Sequence, residues 1–560
     1  MPASEDKTAD IILTGGRVRT FDSDHGDQEA VAIAQNRILA VGSAADIRAM
    51  ARPHTEIIDI AGATVIPGFN DAHAHLDREG LKLRRLSLAG ARSIPEVLER
   101  IASVAAMTPA GRWIVTMPVG EPPYYFGGPA YLAEGRMPTR DELDRATPDN
   151  PVCISAAFGN WGKPPCFTAL NTLALRLNGI DRQSRPACAG VDIVKDEAGE
   201  PTGVIIEHNP RPTIDNDLLS AVPRFTYEDR RDGLVDAMRL YNEVGTTSIY
   251  EGHGFAPRTI AAFRELWEKG RLTTRVGLVI SPTWENVAEA RAAIDDWRAE
   301  AQGRGLNNPW FKICGLHVAF GGDVKTAALS RRSLPDTGWA GFVEQANDDA
   351  AFLDYAMLCA EFDIRLNTIV ADNLHRAVPL LEKVAERYDL TGRRWVIQHI
   401  ARCRYEDLAA LKRLGIFVTT IPVYHLWKGG AAYLADADGG EHVVPHRAIL
   451  EAGLPVSAGT DNIPYDPAFT LWTMACRKER TSGRVLGASQ CLAGEDALRL
   501  LTVSGAHLTC DEHEKGPLKR GFLADLAVLD RDPVGVMPEQ LSKLKCLLTM
   551  VDGRIVHRAI

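Results

Sequence analysis

The feature that most constrains this chain is a rhythm: eight short apolar runs, most of them set apart by stretches of helical pattern. The runs fall at residues 64–69, 246–250, 274–281, 310–318, 364–370, 395–400, 416–421 and 454–460. The punctuation between them is that of helices. Thr226-Tyr227-Glu228-Asp229 reads as a capped start, and Gly245 stops that helix just before the second run, because a Ser/Thr hydroxyl followed by an acid satisfies the first free amides and glycine ends the last turn. Strands alternating with helices build parallel sheets, since parallel neighbours need a long crossover. Eight such units predict an α/β fold of the (β/α)8 TIM-barrel type, whose reactive side chains stand at the C-terminal ends of the strands.

Three segments do not follow the rhythm. The first 66 residues read as short strands broken by turn signals such as Gly15-Gly16, and the last fifty or so read the same way, with Asp552-Gly553 as a hairpin dipeptide. Neither end holds enough strands to stand alone, so residues 1–66 and 507–560 are expected to pair into one composite β-sandwich domain. Residues 67–111 and 225–506 then form the barrel. Between them, residues 112–224 are rich in Pro and Gly, as in Glu121-Pro122-Pro123-Tyr124-Tyr125-Phe126-Gly127-Gly128. That stretch is too long for an unstructured loop and is expected to be an inserted subdomain over the barrel mouth.

Charge and cysteine usage narrow the function classes. With 63 Lys and Arg against 73 Asp and Glu the net charge is −10, and no basic cluster supplies the footprint that nucleic acid or an anionic membrane needs. A small-molecule partner is expected. No apolar run is long enough to span a bilayer, and the amino-terminal residues lack the basic and apolar regions of a signal peptide. The 10 cysteines contain no Cys-x-x-Cys pair, which argues against a disulfide framework or a structural zinc knot and fits a reducing cytoplasm. Apolar surface on a barrel of this kind would also support a homodimer.

The sharpest chemical signal is Pro67-Gly68-Phe69-Asn70-Asp71-Ala72-His73-Ala74-His75. Alternation in an extended segment puts His73 and His75 on one side, where two imidazoles can share a divalent metal. Asp461 closes the run Ser457-Ala458-Gly459-Thr460, and His399 follows Trp395-Val396-Ile397-Gln398 at another strand end. A carboxylate there can both ligate metal and take a proton from water. Lys312 sits within an apolar run, where a lone lysine either snorkels outward or needs a partner. His253, His317, Tyr424 and Trp161 are further candidates for contact with substrate.

These blocks resemble the amidohydrolase superfamily, in particular the branch of N-substituted formamide deformylases and YtcJ-like proteins. The likeness extends over nearly the whole chain, through Arg136-Met137-Pro138-Thr139-Arg140-Asp141-Glu142-Leu143-Asp144 and the stretch 516–529. It implies a barrel metal site made by His73, His75, His399, Asp461 and a carboxylated Lys312, with Zn2+ as the metal. It also implies hydrolysis of a carbon–nitrogen bond in a linear amide, N-formyl or N-acyl, with Asp461 and His399 serving catalysis. Two departures stand out. Asn367 occupies the place of the histidine usual on the fifth strand, and Cys314-Gly315-Leu316-His317 follows Lys312 in place of Phe-Ala-Asp-Gly. Losing one imidazole weakens a second metal position selectively, so one tightly bound ion is expected and a second only weakly, with Asn367 facing substrate. Two rival readings are a deaminase or cyclic-amide hydrolase on the same scaffold, and a barrel that has lost catalysis and serves as a binding or regulatory module.

Overall fold

The computed structural model describes residues 8–157, 164–209, 213–282, 284–301, 308–332 and 344–560. The chain divides into two compact units, one of residues 1–76, 237–321 and 347–560, the other of residues 77–236 and 322–346.

The first unit contains the barrel. Its eight strands are β1 (Phe69–Asp71), β2 (Thr246–Phe255), β3 (Arg275–Ile280), β4 (Phe311–His317), β5 (Leu366–Ile369), β6 (Val396–Gln398), β7 (Phe417–Thr420) and β8 (Val456–Ala458). They pair in chain order and in parallel. The seam between β8 and β1 is bridged by the backbone: Ala72 N–H donates to the Ala458 carbonyl at 3.3 Å and Asp461 N–H to the His73 carbonyl at 2.8 Å. Gly459 is required at this seam, since a Cβ there would lie 2.5 Å from the His73 nitrogen. Inside the barrel, Ala72, Tyr250, Val279, Cys314, Val396, Phe417 and Leu508 form one buried cluster. Residues of this kind fill such a barrel as packed layers, leaving no pore.

Strands from both ends of the chain complete a β-sandwich in the same unit. One sheet holds Ile11–Thr14, Ala30–Ala34, Arg37–Gly42 and Glu56–Asp59; the other holds Arg17–Val18, Thr64–Pro67, Leu526–Leu529, Cys546–Val551 and Arg554–Arg558. Period-two alternation decides where each residue goes. Leu13, Val31 and Ile33 meet Val65, Leu526 and Val528 in the sandwich core, while Ile66, Ala527 and Leu529 join the large core that includes the barrel residues Phe69, Leu316 and Leu366. Each such side chain withdrawn from water contributes about 1.5–3 kcal/mol. Asp552 and Gly553 both have positive φ, 55° and 73°, the geometry of a tight hairpin turn.

The first apolar run is divided differently from the sequence expectation. Residues 64–69 read as one barrel strand, but Thr64–Pro67 pairs within the sandwich and only Phe69–Asp71 belongs to the barrel. Gly68 marks the transfer, and a Cβ on it would lie 2.2 Å from the Thr247 side chain.

In the second unit a five-stranded sheet, in the order Val191–Lys195, Pro201–Glu207, Cys166–Leu170, Val152–Ile154 and Ile114–Thr116, carries the helices Ile94–Ala105 and Arg140–Ala146. The second helix begins on a full capping box between Thr139 and Glu142. This unit is larger than the Pro- and Gly-rich stretch 112–224, because residues 77–111, 225–236 and 322–346 segregate with it. Among the described residues no helix is long and apolar enough to cross a membrane.

Candidate metal centre

Just past β1, β6 and β8 the chain places His73, His75, His399 and Asp461 together, all buried. One ligand atom each from His73, His75 and Asp461 lies within 4.8 Å of the others. His75 Nε2 is 3.0 Å from Asp461 Oδ1, His73 Nε2 is 4.0 Å from the same oxygen, and His399 Nε2 is 3.1 Å from His73 Nε2.

The hydrogen bonds behind these rings fix their tautomers. Gln398 Nε2 donates to the Gly252 carbonyl at 2.7 Å, so its Oε1 must be the atom that accepts from His73 Nδ1 at 2.6 Å. His75 Nδ1 donates to the Glu251 carboxylate at 2.9 Å. In the neutral rings both Nε2 atoms therefore carry lone pairs, and these converge with the Asp461 carboxylate. Lone pairs gathered this closely repel unless a cation lies among them. The donor set, imidazole nitrogens and one carboxylate oxygen, suits a divalent metal of the zinc type. Burial, followed by the neighbouring His73, drives the pKa of His399 well below 6.5, which keeps its ring neutral and able to ligate.

The backbone is shaped for this cluster. His399 and Asp461 have φ of 55° and 53°, and Asn462 follows at 60°. Non-glycine residues adopt this region at a cost, and such strain gathers at functional sites. Asn462 secures the loop, accepting from His75 N–H and from the Tyr241 hydroxyl, each at 2.8 Å, and donating to the His75 carbonyl at 2.8 Å. Asp71 braces the same seam through Thr460 Oγ1 at 2.5 Å and the amides of Thr460 and His73. Burial pushes its carboxyl up to about 7 against those hydrogen bonds. At Gly252 a Cβ would lie 2.0 Å from Gln398, so glycine makes room for the residue that orients His73.

His253, in β2, has its ring centroid 6.1 Å from that of His75, and His317, ending β4, lies 5.0 Å from His253. Tyr424 packs edge-on at 5.6 Å from His399. These three gather around the four-residue cluster. Trp161 lies outside the described residues.

Two residues have surroundings that differ from the sequence expectation. Lys312 is the second residue of β4, five positions before the strand end at His317. There Nζ donates to the Thr509 carbonyl at 2.9 Å and pairs with Asp511, whose other oxygen is 3.7 Å from Lys515. Burial raises the Asp511 carboxyl, and Lys515 with Lys312 more than offsets it, so its pKa is lowered overall. A carbamate on Lys312 would set a second anion against Asp511 in place of the ammonium. Asn367, expected to face substrate, is instead consumed inside the barrel. Its Oδ1 accepts from the Tyr250 hydroxyl at 2.6 Å and its Nδ2 donates to the Cys314 carbonyl at 3.3 Å. In register it pairs with Val396, three residues before His399, so it occupies a deeper layer.

Sequence reasoning singles out Glu251 and His425 only as neighbours of His253 and Tyr424, and it does not assign Gln398 or Asn462 to the site. Glu251 is accessible to it, being two residues from His253 and so on the same face of β2. Gln398 and Asn462 flank His399 and Asp461, but their partners come from distant segments.

The family model described as amidohydrolase family matches residues 56–557. The chain is 25% identical over 576 residues to an N-substituted formamide deformylase of Arthrobacter pascens, covering 97% of each protein. It is also 25% identical over 567 residues to a putative amidohydrolase, YtcJ, of Bacillus subtilis, covering 98% of this chain and 99% of the relative. A crystal structure of an uncharacterized metal-dependent hydrolase from Pyrococcus furiosus superposes with a TM-score of 0.66 at 21% identity, over 94% of this chain and 99% of the other. With a barrel whose strand ends gather three imidazoles and a carboxylate, and a family match across nearly its whole length, the chain belongs to the amidohydrolase family, as a metal-dependent hydrolase of carbon–nitrogen bonds.

Proposed function

We propose that the enzyme cleaves a linear N-formyl or N-acyl amide, a small molecule, using one zinc ion held by His73, His75 and Asp461 with His399 beside it. The observation that carries this reading is the convergence of ring nitrogens and a carboxylate oxygen just past the strand ends. When bound, the metal lowers the pKa of water toward neutrality and polarises the amide carbonyl.

The chain's residues divide the remaining work. Gln398 and Glu251 hold His73 and His75 in the tautomer that leaves Nε2 available. Asp461 stands where its second oxygen can take the proton of the attacking water and return it to the departing amine. His399, kept neutral by burial, adds a ligand or steadies substrate. Lys312 has no part in this reading, because its amine is committed to Asp511 and Thr509. The linear-amide class is supported by the full-length similarity to the formamide deformylase.

The test is metal analysis of protein produced with zinc, followed by a panel of N-formyl and N-acyl amines, cyclic amides and amino-heterocycles. The expected result is one zinc per chain and release of an amine with a carboxylate from the linear amides. Ammonia from the amino-heterocycles alone would make the enzyme a deaminase, and two zinc ions at full occupancy would overturn the single-ion reading.

A further inference from the structure

His425 lies directly after β7, in Val423–Lys428, a segment wound as a π-helix. One wide turn of this kind costs hydrogen-bond geometry and re-aims the side chains it carries, and such turns recur at functional sites. Here the i+5 bond runs from Gly429 N–H to the Tyr424 carbonyl at 2.8 Å. The turn brings the His425 ring edge-on to His399, with centroids 5.5 Å apart. The side chain is buried, with 4% of its surface exposed, and among the described residues its Nε2 has no hydrogen-bond partner. A buried ring nitrogen left unpaired loses the hydrogen bond it made in water and so costs stability. No hydrogen bond among the described residues compensates it, whereas a ligand beside His399 would.

We propose that His425 is a substrate-binding residue, its Nε2–H donating a hydrogen bond to the carbonyl oxygen of the amide and to the oxyanion that develops there. This assignment rests on the amide-hydrolase reading above. His425 and His399 differ in position and so in role. His399 Nε2 faces His73 Nε2 at 3.1 Å, among the metal-binding groups, while His425 packs edge-on against the His399 ring. A donor placed where negative charge develops in the reaction contributes more to the transition state than to the ground state.

The test uses acetohydroxamic acid, a carbonyl ligand for metal-bound active sites, titrated calorimetrically into the zinc-loaded enzyme. His425→Phe should weaken binding about tenfold or more, while zinc per chain stays at the wild-type value and the melting temperature does not fall. His425→Gln, which keeps an N–H donor, should recover part of the loss. If His425→Phe does not fold, His425→Asn, whose amide is drawn back from the ligand, should show the same weakening. Equal affinity in the variants would overturn the assignment alone, and water would then be the partner of Nε2. Loss of zinc in parallel with affinity would also overturn it, making His425 a support for His399. If the zinc-loaded wild type does not bind the hydroxamate, the amide-hydrolase reading fails and this assignment with it.

Discussion

The two ends of the barrel gather comparable numbers of buried polar groups and treat them oppositely. At the ends where the strands begin, charges are matched: Lys312 and Lys515 share Asp511, and Arg275 is clasped by Asp525 at 2.6 and 3.0 Å and by Asp552 at 2.9 Å. Where the strands end, His73, His75, His399 and Asp461 bring ring nitrogens and a carboxylate oxygen to within 3.0–4.0 Å of one another. The first arrangement is a set of opposite charges, and the second is a set of metal-ligand atoms. A buried cluster of ligand atoms is thus a candidate for function, and a buried cluster of opposite charges a structural clamp.

Breaking the unmatched end should have the largest effect. Asp461→Asn keeps the size of the side chain and removes the proton acceptor; turnover should fall about 10³-fold or more with circular dichroism unchanged. Near-normal activity would remove Asp461 from the mechanism. Breaking the matched end should cost stability and spare the metal: Lys312→Met should lower unfolding free energy by about 3 kcal/mol in denaturant titration, because it leaves part of a buried ion cluster uncompensated. Zinc per chain should not change, whereas a lysine that bridged the metal would take zinc with it.

A gentler change sharpens the comparison at the metal itself. Gln398→Leu removes the group that fixes the His73 tautomer, and zinc affinity measured by chelator competition should drop about 10- to 100-fold. The smallest effect is expected at an intermediate case, a half-buried carboxylate with one hydrogen-bond partner among the described residues. Asp466 caps the helix Pro467–Cys476 through the Ala468 amide, and burial pushes its carboxyl up to about 6. A carboxyl whose folded pKa exceeds its unfolded value of about 3.9 loses stabilisation as pH rises between the two, and the cost is full above the folded pKa. Asp466→Asn, which retains the cap, should therefore stabilise by about 1–2 kcal/mol at pH 8 and by nothing measurable near pH 3.5. A gain of the same size at both pH values would contradict the assignment.

Much of the site is legible in the sequence because it is local. His73 and His75 are two apart on an extended segment, and Asp461 and His399 each close an apolar run, so periodicity alone carries them to strand ends. Lys312 misleads because its meaning depends on which end of β4 it occupies, and the partner that settles this, Asp511, lies in a distant segment. Asn367 misleads for a related reason: a substitution read against a family pattern says which residue is missing but not how deep its replacement sits. The first strand reads too long because Thr64–Pro67 and Phe69–Asp71 share one extended hydrophobic pattern, and only the pairing partners separate them. The eight-strand rhythm is insensitive to these errors, since strand number and order depend on pattern more than on boundaries.

The division at Gly68 also sets an order of events during synthesis. Val65, four residues before β1, is paired with Val528, so one side of that strand waits for a partner that leaves the ribosome only after every barrel strand has emerged. Until then an apolar strand edge stays open beside the segment that carries His73 and His75. Such late closure favours aggregation of unfinished chains, and the yield of native enzyme should depend on how fast the final strands arrive and dock.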